Sequence, residues 1–231
     1  MIHMVKKRSR VAFFLIILLS SIIILAIIVF ANLGLQSAQV VVPGVTEGDV
    51  FTYDVMGLWS SNDPNATVPE MFLQLNMTEW YRVTITEVSS VTVTISTTWR
   101  FKNGTELAGI GTVDVETGVS YGGFWAIYAA NLKENDRLRP LGPDISAVNE
   151  TTTREYSAGG TRETNCVSLV LQYYDANDPT YSTTLTEYVS THFDRQTGML
   201  VELRHISIYT NPQMTLTILW KIKNSNVWTV T

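Results

Sequence analysis

The chain has 231 residues, 45% of them hydrophobic and only 16% charged, with a formal net charge of −5 and a single cysteine. That balance excludes internal disulfides as a source of stability, and it offers no basic stripe to the phosphates that dominate nucleic-acid binding. All 21 acidic residues lie beyond Ala31, where 12 of the 16 basic residues remain, so this larger part is the more acidic one at −9.

At the N-terminus, Lys6, Lys7, Arg8 and Arg10 occur without an acid, and Val11–Ala31 then runs without a charge. At ~1.5 Å per residue such a helix is about 30 Å long, the thickness of a bilayer core. It exceeds the roughly 7–15 apolar residues of a cleaved signal peptide, although Val29-Phe30-Ala31 loosely meets the small-residue rule for cleavage. Cys166 is too far along the chain to be a lipoprotein anchor. The prediction is a cytoplasmic basic tail at 1–10 and a transmembrane signal anchor at 11–31, oriented by the positive-inside rule. A juxtamembrane linker at 32–48 and one extracytoplasmic β domain at 49–231 follow. The expected location is the cell membrane, with a single span.

From Val50 the pattern is that of strands. "VFTYDVMGLW" (50–59) sets Phe51, Tyr53, Val55 and Trp59 on one side, and "VTVTISTTWRF" (91–101) alternates apolar residues with Thr and Ser. "MTLTILWKI" (214–222) sets Met214, Leu216, Ile218, Trp220 and Ile222 against Thr215, Thr217 and Lys221. Period-two alternation of β-branched and aromatic residues predicts half-buried antiparallel strands. Asn-Gly in "KNGTE" (102–106) is a hairpin signal, and "EVSSV", "SAGGT" (157–161) and "DANDPTYS" (175–182) are further turns. Strand–helix–strand alternation is absent, which argues against a parallel sheet. The fold class predicted is mainly β: an antiparallel meander of roughly nine or ten strands, as a curved sheet or half-barrel, with at most one short helix. The segment "GFWAIYAANLKEND" (123–136) is the candidate for that helix or for a buried strand.

Asp-x-x-Thr-Gly occurs twice, as "VDVETG" and "FDRQTG", at Asp114, Thr117 and Gly118 and at Asp194, Thr197 and Gly198. Each copy falls between strands, where Asp and Thr bond nearby backbone and Gly supplies positive φ. An aspartic protease needs Asp-Thr-Gly contiguous, and a calcium loop needs acids at alternate positions, so both copies read as structural turns. His192 and His205 flank the second turn, where a metal site or acid–base pair with Asp194 is conceivable; the nearer explanation is two strand residues with polar tips at a sheet surface. Asp175, Asn177 and Asp178 offer oxygen ligands for a weak calcium loop or form a polar turn. Cys166 reads as a buried small apolar residue, with a dimer disulfide and a nucleophile as the other readings. None of the common catalytic or phosphate-binding motifs is present, so no catalytic residue, metal or cofactor is predicted. Four Asn-x-Thr sequons, at Asn65, Asn76, Asn103 and Asn149, are candidate glycosylation sites.

"FDRQTGMLVE" after "TEYVSTH", together with "GDVFTYDV" and "FKNGTE", resembles a loose group of membrane-anchored archaeal secreted β proteins without an assigned activity. The strand–turn–strand succession is also similar to the half-barrel of bacterial lipoprotein carriers, a resemblance that implies a sheet face holding acyl chains. The expected function is non-catalytic: an envelope module that binds a lipid or other hydrophobic ligand, or interacts with an envelope protein. A structural or adhesive role and a hydrolase are the alternatives.

Overall fold

The computed structural model describes residues 41–156 and 160–228. The predicted tail at 1–10, the anchor at 11–31, most of the linker and the tip of the 157–161 turn lie outside the described residues. Among the described residues no helix is long and apolar enough to cross a membrane.

Ten strands form one antiparallel open sheet. Its first half comprises β1 (Val50–Ser61), β2 (Thr78–Ser89), β3 (Thr92–Phe101), β4 (Glu106–Asp114) and β5 (Ser120–Tyr121). The second comprises β6 (Glu150–Tyr156), β7 (Gly160–Tyr174), β8 (Thr184–Asp194), β9 (Leu200–Thr210) and β10 (Gln213–Ser225). The order is β5-β4-β3-β2-β1-β10-β9-β8-β7-β6. The predicted meander therefore holds within each half but not between them. The first and last strands meet at the centre, paired from Phe51 opposite Ser225 to Ser61 opposite Met214 with one register shift between Thr52 and Tyr53, while β5 and β6 end up at opposite edges. Sequence alternation gives each strand its two faces but is silent on which strands far apart in the chain will pair.

The inner face carries Phe51, Tyr53, Val55, Val83, Ile85, Val93, Ile95 and Val113, all buried. A single sheet needs a second layer to bury such a face. Here that layer is the crossover from Gly122 to Asn149, which contributes Phe124, Ile127, Tyr128, Ala129, Leu132 and Leu138 to the same core. The crossover is neither the helix nor the strand considered for 123–136; it is irregular, with isolated bridges from Ile127 to Met199 and from Ala129 to Pro43. Neighbouring loops supply its backbone partners, with Tyr128, Ala130 and Asn131 N–H donating to Gly198, Val42 and Arg195 carbonyls. Residues 41–48, read from sequence as linker, belong to this layer: Val45 is buried and Ala130 N–H donates to Val42 O.

The repeated motif holds the crossover at both ends. The two copies close the same turn. Asp114 Oδ1 accepts Thr117 N–H at 2.8 Å, and Asp194 Oδ1 accepts Thr197 N–H at 2.8 Å. Gly118 and Gly198 have φ of 79° and 73° and donate back to Asp114 O and Asp194 O. At the second turn Tyr128 N–H donates to Gly198 O and Asn131 N–H to Arg195 O; any Cβ at Gly198 would overlap the Tyr128 carbonyl. At the first, Leu141 N–H donates to Glu116 O, and Arg139 reaches Val115 O at 3.2 Å and Trp125 O at 3.1 Å. Arg139 is buried, its guanidinium 4.6 Å from the Tyr128 ring centroid. Burial pushes its pKa down, opposed by Tyr128, Asp114 and Asp144, and pushes the Tyr128 phenol up.

The one helix of the described residues, α1 (Glu70–Asn76), joins β1 to β2; a single short helix fits the predicted fold class, but it lies here and not in 123–136. At seven residues it is too short to show a helical period. Its place follows from a splay in the sheet, because β1 pairs with β2 only over Val50–Tyr53. Beyond that point Phe72 packs over Gly57, where an added Cβ would stand 2.5 Å from the ring. Asn76 clamps the same residue, accepting Gly57 N–H at 3.0 Å and donating to Gly57 O at 2.8 Å. Gly57→Ala is expected to lower stability by about 1–3 kcal/mol, the usual cost of overpacking. Urea unfolding checks this, and an unchanged midpoint would refute the packing argument.

Candidate functional site

Four strands bring aromatic residues into one row on the inner face. Tyr53 on β1 stands opposite Tyr81 on β2, Tyr81 opposite Trp99 on β3, and Trp99 opposite Leu107 on β4. Trp220 enters from β10, opposite Val55, and Phe124 from the crossover. The Tyr81 and Trp220 ring centroids are 5.0 Å apart at 74°, and those of Tyr81 and Trp99 are 5.3 Å apart at 87°. Edge-to-face contacts of this kind hold rings in fixed orientations. The Trp99 indole is fixed further by its Nε1–H bond to Thr78 Oγ1, 2.8 Å.

Facing these rings are glycines. Gly109 stands opposite Thr97, where a Cβ would come within 2.8 Å of Thr97 Oγ1, and Gly123, at φ 88°, has open space on its side-chain position. Bare backbone opposite large rings leaves a cleft of about 240 Å³ bounded by Tyr81, Trp99, Leu107, Gly109 and Trp220. A recess of about 90 Å³ adjoins it, sharing Gly123 and Trp220 and lined further by Phe124, Leu200 and Leu203. Burial pushes the Tyr81 phenol up, so it stays neutral and the wall carries no charge.

A larger cavity, about 340 Å³, lies beside the second Asp-x-x-Thr-Gly turn and is polar. Its four charged side chains are already paired. Arg162 Nε meets Asp194 Oδ2 at 2.6 Å, and Arg195 meets Glu163 at 2.9 Å. Arg162 also lies over the Trp228 ring, 5.1 Å from its centroid. A ligand here would have to displace ion pairs, whereas the aromatic cleft has no charged side chain and a mostly apolar lining that gains by leaving water.

The histidines do not converge. His192 stands opposite Glu202, and His205 opposite Val189, three positions along β8, so the rings point to opposite faces of the sheet. Asp194 is committed to Arg162 and Thr197. His205 Nε2 instead meets Glu187 Oε1 at 3.0 Å on the inner face, with Tyr173 donating to Glu187 Oε2 at 2.6 Å. The Tyr173 bond, aided by His205, holds the Glu187 carboxyl below its usual range. Ser207 Oγ lies 3.4 Å from the same His205 Nε2. A hydrolytic triad needs serine and carboxylate on different ring nitrogens; here both address one, so His205 is not placed to relay a proton between them. Among the described residues no group of three His, Cys, Asp or Glu could hold a metal. Asp178 accepts from Thr180, Ser182 and Thr183 within its own loop, which lowers its pKa. Cys166 is buried on β7 opposite Glu150 and His192.

Asn65 and Asn103 are exposed in turns and Asn149 is exposed before β6. Asn76 differs, because its Nδ2 is turned onto Gly57 O and the Thr78 of its sequon is buried against Trp99. No protein-family model, curated protein or solved structure matches the chain.

Two expectations follow from these environments. Where the chain is glycosylated, the modified residues are Asn65, Asn103 or Asn149 and not Asn76; glycopeptide mass spectrometry decides, and a glycan on Asn76 contradicts the clamp. Burial, reinforced by Arg154, holds the His192 imidazole below its ordinary value of 6.5. The stability this group contributes is complete above pH 6.5 and is lost as pH falls through the lowered value. His192→Gln should flatten the acid-side slope of unfolding free energy between about pH 7 and pH 5. An unaltered slope in urea titrations would assign it elsewhere.

Proposed function

We propose that the protein is a single-pass, membrane-anchored extracytoplasmic module that binds a hydrophobic ligand, such as a lipid acyl chain, without catalysing a reaction or using a cofactor. The anchor reading rests on the uncharged run from Val11 to Ala31 behind four basic residues. The observation that carries the binding reading is the uncharged cleft between Tyr81, Trp99 and Trp220 and the bare backbone of Gly109 and Gly123. Together with the adjoining recess it falls at the lower end of the roughly 300–1,000 Å³ typical of small-molecule sites, enough for one chain or one flat apolar group. The similarity of the strand–turn–strand succession to acyl-chain carriers points the same way. A second reading, an adhesive or structural envelope role, draws support from the exposed Leu169, Val170 and Leu171 on β7.

Native mass spectrometry of the body from Val41 onward, after incubation with a total lipid extract, tests the binding reading. A discrete retained mass is expected. Trp99→Ala should weaken retention about tenfold, near 1.4 kcal/mol, and Leu107→Trp, at a position 58% exposed, should block the cleft without touching the core. Leu58→Ala, exposed on the outer face, should bind as the parent does. A bare protein at saturating lipid would overturn the reading.

A further inference from the structure

Beyond Cys166 the outer edge of β7 is used neither by the cleft nor, among the described residues, by the sheet. β6 pairs with β7 only from Gly160 to Cys166, whereas β8 follows β7 to Tyr174. The stretch Val167–Tyr174, "VSLVLQYY", therefore has β8 on one side and, among the described residues, no strand on the other.

Two hydrogen bonds show which backbone groups face that side. Asn149 N–H donates to Cys166 O at 2.9 Å, and Asn149 Oδ1 accepts Ser168 N–H at 2.6 Å. Even-numbered residues thus turn their polar groups away from β8. By strand alternation, Val170, Gln172 and Tyr174 offer N–H and C=O groups outward beyond the Asn149 cap. Folded proteins usually guard such an edge with charge, proline or a bulge. This stretch has no charged residue, proline or glycine, and its large side chains are exposed on both faces, from 40% at Leu169 to 64% at Val170. The opposite edge differs, since β4 carries Glu106 and two glycines and is partly covered by β5.

We propose that this edge pairs antiparallel with the same edge of a second copy, about a two-fold axis at Leu171, joining two ten-stranded sheets into one. Outward-facing residues must meet outward-facing ones, so Val170 stands opposite the partner's Gln172, and the ladder ends there because Asn149 Oδ1 already holds Ser168 N–H. Leu171 then faces the partner's Leu171 in a position without ladder bonds, where Cα atoms are about 4.5 Å apart. The pairing is self-complementary: Leu169 meets the partner's Tyr173 on the inner face, and an uncharged stretch brings no like charges together despite the acidic body. The five large side chains are 40–64% exposed, and with the backbone edge their pairing buries on the order of 400–500 Å² per copy, below the ~800 Å² per partner of a standard complex, which makes the dimer a weak one. An isologous contact of this kind closes as a dimer.

Orientation follows from the strand direction. β7 starts beside the second Asp-x-x-Thr-Gly turn, where residues 41–43 also dock, and ends at the far end of the sheet. Antiparallel pairing points the two docking ends in opposite directions.

Cysteine cross-linking of the full-length chain in detergent tests the proposal, because Cys166 is only 5% exposed and stays silent. Leu171→Cys should form a disulfide dimer under mild oxidation, while Leu107→Cys on the opposite edge should not. Val170→Lys, at an exposed position that leaves the fold intact by circular dichroism, should raise the dimer dissociation constant at least about tenfold in sedimentation equilibrium. It should leave lipid retention unchanged, which separates this edge from the aromatic cleft. Three outcomes would overturn the proposal: no cross-link with Leu171→Cys, a mixed cross-link between Leu171→Cys and Leu107→Cys that shows head-to-tail pairing, or a Val170→Lys protein that dimerises as the parent does.

Discussion

Everything in this fold depends on how an irregular stretch of 28 residues, Gly122 to Asn149, is kept flat against a sheet. A single antiparallel sheet with an apolar face cannot persist in water unless that face is covered, and this cover has no ladder of its own. It is held by backbone bonds to two turns of the same construction, one from each half of the chain. Each turn places its Asp carboxylate on a Thr amide and its Gly at positive φ. Each also leaves carbonyls free, and the crossover bonds to those. The buried Arg139 extends the principle. Without a carboxylate partner in contact, its guanidinium is satisfied by main-chain carbonyls and by the face of Tyr128. A buried cation of this kind costs stability unless its donors are filled, so it constrains where residues 114–125 lie.

Because the cover spans only part of the inner face, the sheet has a closed end and an open end. The closed end holds the core, where Tyr128 packs 4.4 Å from Phe193 between ring centroids and Tyr53 donates to Leu200 O at 3.0 Å. The open end carries Leu169, Leu171 and Tyr173 with the Glu187–His205 pair among them. The aromatic cleft lies where the cover passes Trp220, and its rings are braced by both the sheet and the crossover. Such a site is pre-organised, and a ligand entering it pays little ordering cost.

Parts of that site could be read in advance. Trp99 and Trp220 fall on the apolar side of two cleanly alternating strands, so their inward orientation was legible. Their convergence was not, because it needs β1 to pair with β10 across the whole chain. The space beside them comes from Gly109 and Gly123, which a sequence shows only as turn or strand glycines. The convergence of the two histidines, the lesser of the two readings, is absent for a related reason. His192 and His205 do sit on paired strands, yet a one-residue offset in register turns neighbours onto opposite faces, and the register includes a bulge at His192 and Phe193.

By itself the sequence determined the local matters: strands of period two, the Asn-Gly hairpin, the two Asp-x-x-Thr-Gly turns, an acidic body, and a chain without internal disulfides. These follow from side-chain alternation, backbone preferences and charge, which act over a few residues. The tertiary structure alone decided that the halves join through their first and last strands, and that residues 123–136 form an irregular cover. It also decided that Asn76 is a clamp on Gly57 and that, among the described residues, no strand pairs with the outer edge of Val167–Tyr174. Each of these depends on which distant segments meet, and that is set by burying one continuous apolar face rather than by any single stretch of chain.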